Sequence, residues 1–153
     1  MLLIATGSAF AGCDDFPAST PTSQFTVDST NKTVVDTKTG LMWKQCLEGD
    51  PACSGSVPAY DFTGAVGLVD TANGSGGFAG FTDWRLPNIK ELQSIVEEQC
   101  SSPAINTTIF PGNPAAEVLS NSPRGNSWWT IDFTTGDMLA NSTTAHVRLV
   151  RDN

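Results

Sequence analysis

Apolar positions along this chain recur in two rhythms, one helical and one alternating, and each run is short. Ile89, Leu92, Ile95 and Val96 fall on one helical face. They follow Gly80-Phe81-Thr82-Asp83-Trp84-Arg85-Leu86-Pro87-Asn88. Pro87 fixes its own φ and drives Leu86 into an extended conformation, so a strand or loop ends there. Asn88 is placed to cap the next helix, and Glu91 three residues on completes a capping box. The spacing predicts a helix from Asn88 to about Gln99. Trp84 and Leu86 alternate with Arg85, so both can point into a core. Arg85 is then left on the other side, or set against a carboxylate such as Asp83. Trp84, Arg85, Leu86, Pro87 and Glu91 thus form a structural corner around which the other elements are arranged.

Before that corner, Phe25-Thr26-Val27 and Thr33-Val34-Val35-Asp36 alternate as short strands, and Leu41-Met42-Trp43-Lys44 reads as a buried strand with Trp43 in the core. Phe62, Ala65, Val66 and Val69 predict an amphipathic helix from about Asp61 to Asn73. Gly64 and Gly67 weaken it by roughly 1 kcal/mol each relative to Ala, unless they permit close packing. Asn73-Gly74-Ser75-Gly76-Gly77 is a connector. Cys100 to Pro114 is irregular, with Ile105, Ile109 and Phe110 as apolar plugs. Trp128 to Phe133 and Met138-Leu139-Ala140 read as strands joined by a turn at Thr134–Asp137. His146 to Arg151 closes the chain as a strand, with Val147, Leu149 and Arg151 on one face and His146, Arg148 and Val150 on the other. Two helices among many short strands indicate the α+β class.

The 153 residues form one domain, expected to span 25–153 after an extended arm at 12–24 that is rich in Pro, Ser and Thr. Residues 1–11 read as a signal-peptide remnant, with Ala9-Phe10-Ala11 as a cleavage pattern. The apolar run is too short to span a membrane. The formal charge of −8 argues against nucleic acid and against anionic surfaces. The four cysteines of an exported chain read as disulfides. Cys46 and Cys53 flank a short loop and form the local pair, which leaves Cys13 with Cys100. Two alternatives compete: a lipid on Cys13, because Phe10-Ala11-Gly12-Cys13 resembles a lipobox, and a metal site, which has no CxxC spacing to support it.

Thr39-Gly40-Leu41-Met42-Trp43-Lys44, the Gly80–Leu92 corner and the closing Val147-Arg148-Leu149-Val150-Arg151 together resemble the Legionella collagen-like protein C-terminal domain family, over about Phe25 to Arg151. The corner and closing strand are also similar to the formylglycine-generating and sulfatase-modifying family. The resemblance implies a C-type-lectin-like α+β domain, with two helices flanking small, twisted antiparallel sheets and long loops. It further implies an adhesin-like module that binds host glycans, notably sulfated ones, as an oligomer. The chain departs from that pattern: it has no collagen repeat, its acidity opposes a sulfated polyanion, and Leu119 stands where the family would have a Trp. Some C-type-lectin-like domains are targets of diversity-generating retroelements. The segment at about 118–145, and Asn126–Ala145 within it, has the Trp, Asn, Ser, Thr and Asp content of such a diversified face.

Trp128-Trp129 is the strongest binding candidate on chemical grounds. Neighbouring strand residues point to opposite faces, so one indole is expected in the core and the other exposed. Beside Arg124, Asn126, Asp132 and Asp137, an exposed indole could stack on a sugar ring or anchor a protein loop. No catalytic constellation assembles. His146 is the sole histidine, and an enzyme reading would pair it with Asp132. The formylglycine chemistry needs a late cysteine pair, and no cysteine follows Cys100. No phosphate or dinucleotide fingerprint occurs. No cofactor is expected, although calcium could sit near Asp132 or Asp137. Glu97-Glu98 reads as a mildly unfavourable charge at a helix C-terminus. The sequence therefore predicts an exported, non-enzymatic binding module whose partner is an extracellular glycan or surface protein, with no membrane insertion and with scope for a homo-oligomer. The alternatives are an enzyme, either a degenerate relative of the sulfatase-modifying family or a hydrolase using His146 and Asp132, or a structural subunit with a flat apolar face.

Overall fold

Leu41-Met42-Trp43 carries no polar break, and the strand it forms, β3 (Leu41–Lys44), is buried on both faces. A continuous apolar run is what a strand between two packed layers requires. The computed structural model describes residues Gly12–Asn153; the signal-peptide expectation for 1–11 lies outside them. The remaining elements are β1 (Phe25–Asp28), β2 (Thr33–Asp36), α1 (Phe62–Asn73), α2 (Ile89–Gln93), β4 (Glu117–Arg124), β5 (Ser127–Asp132), β6 (Asp137–Asn141) and β7 (Val150–Asp152). They form two antiparallel sheets, ordered β1-β2-β3-β7 and β4-β5-β6. The molecule is α+β, with two helices, two small antiparallel sheets and two disulfides, Cys46–Cys53 and Cys13–Cys100.

Side-chain alternation along the four-stranded sheet separates two cores. Val34 and Trp43 enter one, with Leu92, Ile95, Ile105, Phe110 and Ile131. Val35 and Met42 face the other, with Trp84, Leu86, Leu119, Val147 and Leu149. Ile105, Ile109 and Phe110 are the buried plugs that the irregular segment was expected to supply. Leu119, where the family pattern would place a Trp, is buried in the second core. In α1, Asp61 caps the first turn by accepting from the Gly64 N–H at 2.7 Å. Val66 does not join the buried face and is 43 % exposed.

The corner holds as a lattice of side-chain bonds. Asn88 Oδ1 accepts the Glu91 N–H at 2.9 Å, and the Glu91 carboxylate accepts the Asn88 N–H at 2.8 Å. That same carboxylate receives both Arg85 Nη atoms at 2.8 Å, and Arg85 Nη2 also reaches Asp152 at 2.8 Å. Arg85 therefore pairs with Glu91 and Asp152. Asp83 instead receives Arg151 Nε at 2.7 Å, because β7 carries Arg151 up beside it. Asn73 clamps the Trp84 backbone through both its amide groups, each at 2.8 Å, and Trp84 Nε1 donates to the Phe78 carbonyl at 3.0 Å.

Three elements differ from expectation. The second helix stops at Gln93 rather than near Gln99. Val96 bridges to Ile105 and Glu97 N–H donates to the Ala104 carbonyl, so the chain turns inward to serve the long loop. No strand was expected where β4 forms. β4 pairs with β5 through a register shift between Leu119 and Pro123. The shift frees Asn121 N–H to bond the Pro87 carbonyl and Ser122 Oγ to accept the Ile89 N–H, which ties β4 to the corner. The closing strand is regular only from Val150, and Val147 to Val150 are all buried, so that stretch has no solvent-exposed face.

Glu97 is not a solvated residue at a helix end. It is 2 % exposed and holds the N-terminal arm. Its carboxylate accepts five hydrogen bonds: from Ser19 N and Oγ, from Thr20 N and Oγ1, and from Gln99 N, at 2.8–3.1 Å. Burial alone would raise its pKa, but these donors outweigh that and hold it below the ordinary value. The contribution is therefore full above the unfolded carboxyl pKa of about 4.3 and is lost as pH falls through the lower folded value. Glu97→Gln should lower stability by about 1–3 kcal/mol at neutral pH. It should also flatten the acid limb of the pH–stability curve, both measurable by urea denaturation across pH.

Candidate functional site

The six residues expected to bind ligand lie on or beside the β4-β5-β6 sheet, but alternation divides them between its faces. Neither indole of β5 is fully core or fully exposed. Trp128 stacks on Phe62 of α1, with ring centroids 3.6 Å apart, so its face is spent on attaching the helix to the sheet. Trp129 points the other way and belongs to neither core. The guanidinium of Arg124, across the β4–β5 turn, lies 4.7 Å from its ring centroid. Asn126 sits in that same turn, beside Gly125. Asp132 and Asp137 are cross-strand partners at the other end of the sheet. Their oxygens are engaged locally, Asp132 by the Thr134 N–H and Asp137 by the Thr135 hydroxyl. Among the described residues no group of three His, Cys, Asp or Glu side chains gathers to hold a metal.

Asp132 does share an open cleft of about 350 Å³ with Glu117 and His146. His146 Nδ1 is 3.0 Å from the Pro58 carbonyl oxygen, which can only accept, so Nδ1 carries the proton and Nε2 is left open. Glu117 is occupied, accepting from Thr130 Oγ1 at 2.7 Å and Asn141 Nδ2 at 3.0 Å. Met138 and Leu139 of β6 are 41 % and 40 % exposed on an edge strand.

The chain belongs to the Lcl C-terminal domain family. Residues 32–151 match that family's model, which spans β2 to β7 and both helices. No curated protein matches the chain.

Sequence reasoning missed a second concave region. The β1–β2 turn, the loop after β3 and the loop after α1 enclose a groove of about 350 Å³, lined by Asn31, Lys32, Lys44, Leu47, Glu48 and Phe78 among others. Lys44 Nζ lies 2.6 Å from Glu48 Oε1 and 3.9 Å from the Phe78 ring centroid. Gly77, the residue before Phe78, has φ +80°, and a Cβ there would meet the Phe81 carbonyl oxygen at 1.9 Å, so this tight turn requires glycine. An i,i+4 Lys–Glu spacing was visible in the sequence, but no predicted element gave it a face.

Beneath the groove lies Arg148, fully buried. Its Nη1 donates to the carbonyls of Lys44, at 2.7 Å, and of Gln45; its Nη2 donates to Asn113 Oδ1 at 2.9 Å. The guanidinium also covers Phe110, 4.7 Å from the ring centroid. Burial pushes its pKa down to about 9, opposed by the charge of Glu48, so it stays a cation at neutral pH. Arg148→Leu should cost about 3 kcal/mol or more, because it strands two buried carbonyls and Asn113. A smaller loss in chemical denaturation would show that water replaces those donors.

Proposed function

We propose that this domain is an exported, non-enzymatic binding module that recognises a glycan or protein ligand through the β4-β5-β6 sheet and its turns. The observation that carries the reading is the Trp129–Arg124 pair. A half-buried indole serves neither core and holds a guanidinium over its ring. Stacked aromatic and arginine groups are the residue types that dominate recognition surfaces, because they bring large contact area at low entropic cost. Among the described residues the other arginines are committed: Arg148 is buried, Arg85 pairs with Glu91 and Asp152, and Arg151 pairs with Asp83. The lectin-like scaffold implied by the family resemblance agrees with a site at strand ends and turns. Two disulfides suit an oxidising compartment, and no described helix is long and apolar enough to cross a membrane. The charge of −8 favours neutral glycans or protein surfaces over polyanions.

A second reading rests on the cleft that gathers Asp132, Glu117 and His146, with His146 Nε2 free to accept a proton. It predicts turnover of chromogenic esters or glycosides that His146→Gln abolishes while the fold is retained. Absence of turnover in the wild type removes it.

For the first reading, the oxidised protein is screened on glycan and surface-protein arrays, with and without calcium. Arg124→Ala/Trp129→Ala, confirmed folded by circular dichroism, should weaken a true hit at least tenfold, the loss expected when an aromatic–cation anchor worth about 1.4–2 kcal/mol is removed. A hit that survives in the folded variant places the site elsewhere.

A further inference from the structure

One sheet edge presents free backbone without the features that guard such edges. The outer side of β4 is filled: Leu119 N–H donates to the His146 carbonyl, His146 N–H to the Glu117 carbonyl and Asn121 N–H to the Pro87 carbonyl. The outer side of β7 is closed by Arg85, which exchanges two backbone bonds with Val150. β1 is four residues long, and its Phe25 is buried. β6 differs from all three. Alternate residues of an antiparallel edge strand turn their N–H and C=O groups outward. Among the described residues, no backbone group of Asp137–Asn141 bonds any backbone but that of β5. The β5–β6 register is unbroken, so no bulge twists the edge away, and Asp137-Met138-Leu139-Ala140-Asn141 holds neither Lys nor Pro. Asp137 to Ala140 are all exposed.

We propose that β6 receives an extended segment of a protein partner as a fourth strand, with a lysine or arginine of that segment beside Asp137. The inference rests on the reading of the β4-β5-β6 sheet as the recognition surface and narrows the partner to a polypeptide. Two observations select this occupant. Met138 and Leu139 stand beside Ile131 and Thr130 in the register, so these exposed apolar side chains look to opposite faces. Apolar side chains on both faces of one edge suit a strand in the plane of the sheet rather than a body seated on one face. Glu117, Asp132 and Asp137 are successive cross-strand partners, so three carboxylates form one row that ends at β6. None of the three is in an ion pair among the described residues, and like charges directly opposite repel. The next place in that row belongs to the added strand, where a cation relieves the repulsion and an anion adds to it. A second copy of this chain would bring its own charge of −8. Paired antiparallel to itself about Leu139, it would set Asn141, not a cation, beside Asp137.

The test uses isotope-labelled, oxidised protein titrated by NMR with three synthetic peptides. They are acetyl-Thr-Val-Thr-Val-Thr-Lys-Thr-amide, the same peptide with Glu in place of Lys, and the Lys peptide N-methylated at every residue. At millimolar concentrations the Lys peptide should shift the amides of Asp137–Asn141. The Glu peptide should bind about two- to fivefold more weakly, and the N-methylated peptide should leave those amides unmoved. Asp137→Asn, at an exposed position, should narrow the Lys-to-Glu ratio; the wild-type series decides without it should that variant misfold. The proposal is overturned by no shift at Asp137–Asn141, by an equal response to the N-methylated peptide, or by a Glu peptide that binds as well as the Lys peptide. A ratio unchanged in folded Asp137→Asn, or a response confined to Phe25–Asp28, also overturns it. So do concentration-dependent shifts of the β6 amides without peptide, which would make a second copy the occupant. An array hit lost in Arg124→Ala/Trp129→Ala while β6 stays silent removes this inference alone and leaves the sheet reading standing.

Discussion

A buried guanidinium holds the irregular half of this protein to its regular half. Arg148 reaches the carbonyls at the end of β3, the Asn113 amide of the long loop and the Phe110 ring. A charge so placed is costly unless its donors are met, and here the partners of the two Nη atoms and of the guanidinium face come from two separate parts of the chain, 44–45 and 110–113. The fold must bring all of them together or leave a cation unsolvated. The closing segment, the loop after β3 and the segment from Cys100 to Pro114 are therefore positioned by one side chain as well as by apolar burial.

Electrostatics of this kind recur throughout a molecule that carries a charge of −8. Glu91 closes a helix cap and binds Arg85; burial would raise its pKa, but Arg85 and the Asn88 N–H hold it low. Asp83 takes Arg151, which lies 4.0 Å from the Phe81 ring centroid. Glu97 gathers the arm, already bridged from Cys13 to Cys100, without any cation, using backbone and hydroxyl donors alone. Each carboxylate serves as a local organiser of loops that have too few apolar residues to order themselves. That leaves Arg124 as the one arginine among the described residues outside both an ion pair and the core.

The two concave regions and the aromatic face differ in physical character. The β4-β5-β6 sheet offers an open surface with an indole, a guanidinium and exposed Met138 and Leu139. The groove beside β3 is recessed and carries a paired donor and acceptor. A surface of the first kind suits an extended partner, and a recess of the second kind suits a small one.

Local chemistry made much of this architecture legible in advance. The Asn88–Glu91 capping box, the burial of Trp84, Leu86 and Trp43, the strands β1 to β3, and both disulfide pairings follow from spacing and residue type, which act over a few residues. Tertiary structure decided the rest. β4 exists because Ser120–Pro123 finds partners in β5, Pro87 and Ile89, contacts that the local sequence does not anticipate. The second helix ends early because Val96 and Glu97 gain long-range bonds to Ile105, Ala104, Ser19 and Thr20. Trp128 and Trp129 share a strand, yet one is spent on Phe62 and the other faces Arg124, a division set by what packs on each face. The groove beside β3 joins residues as far apart in the chain as Thr30 and Ala79, and only the packing of three loops against one another brings them into one recess.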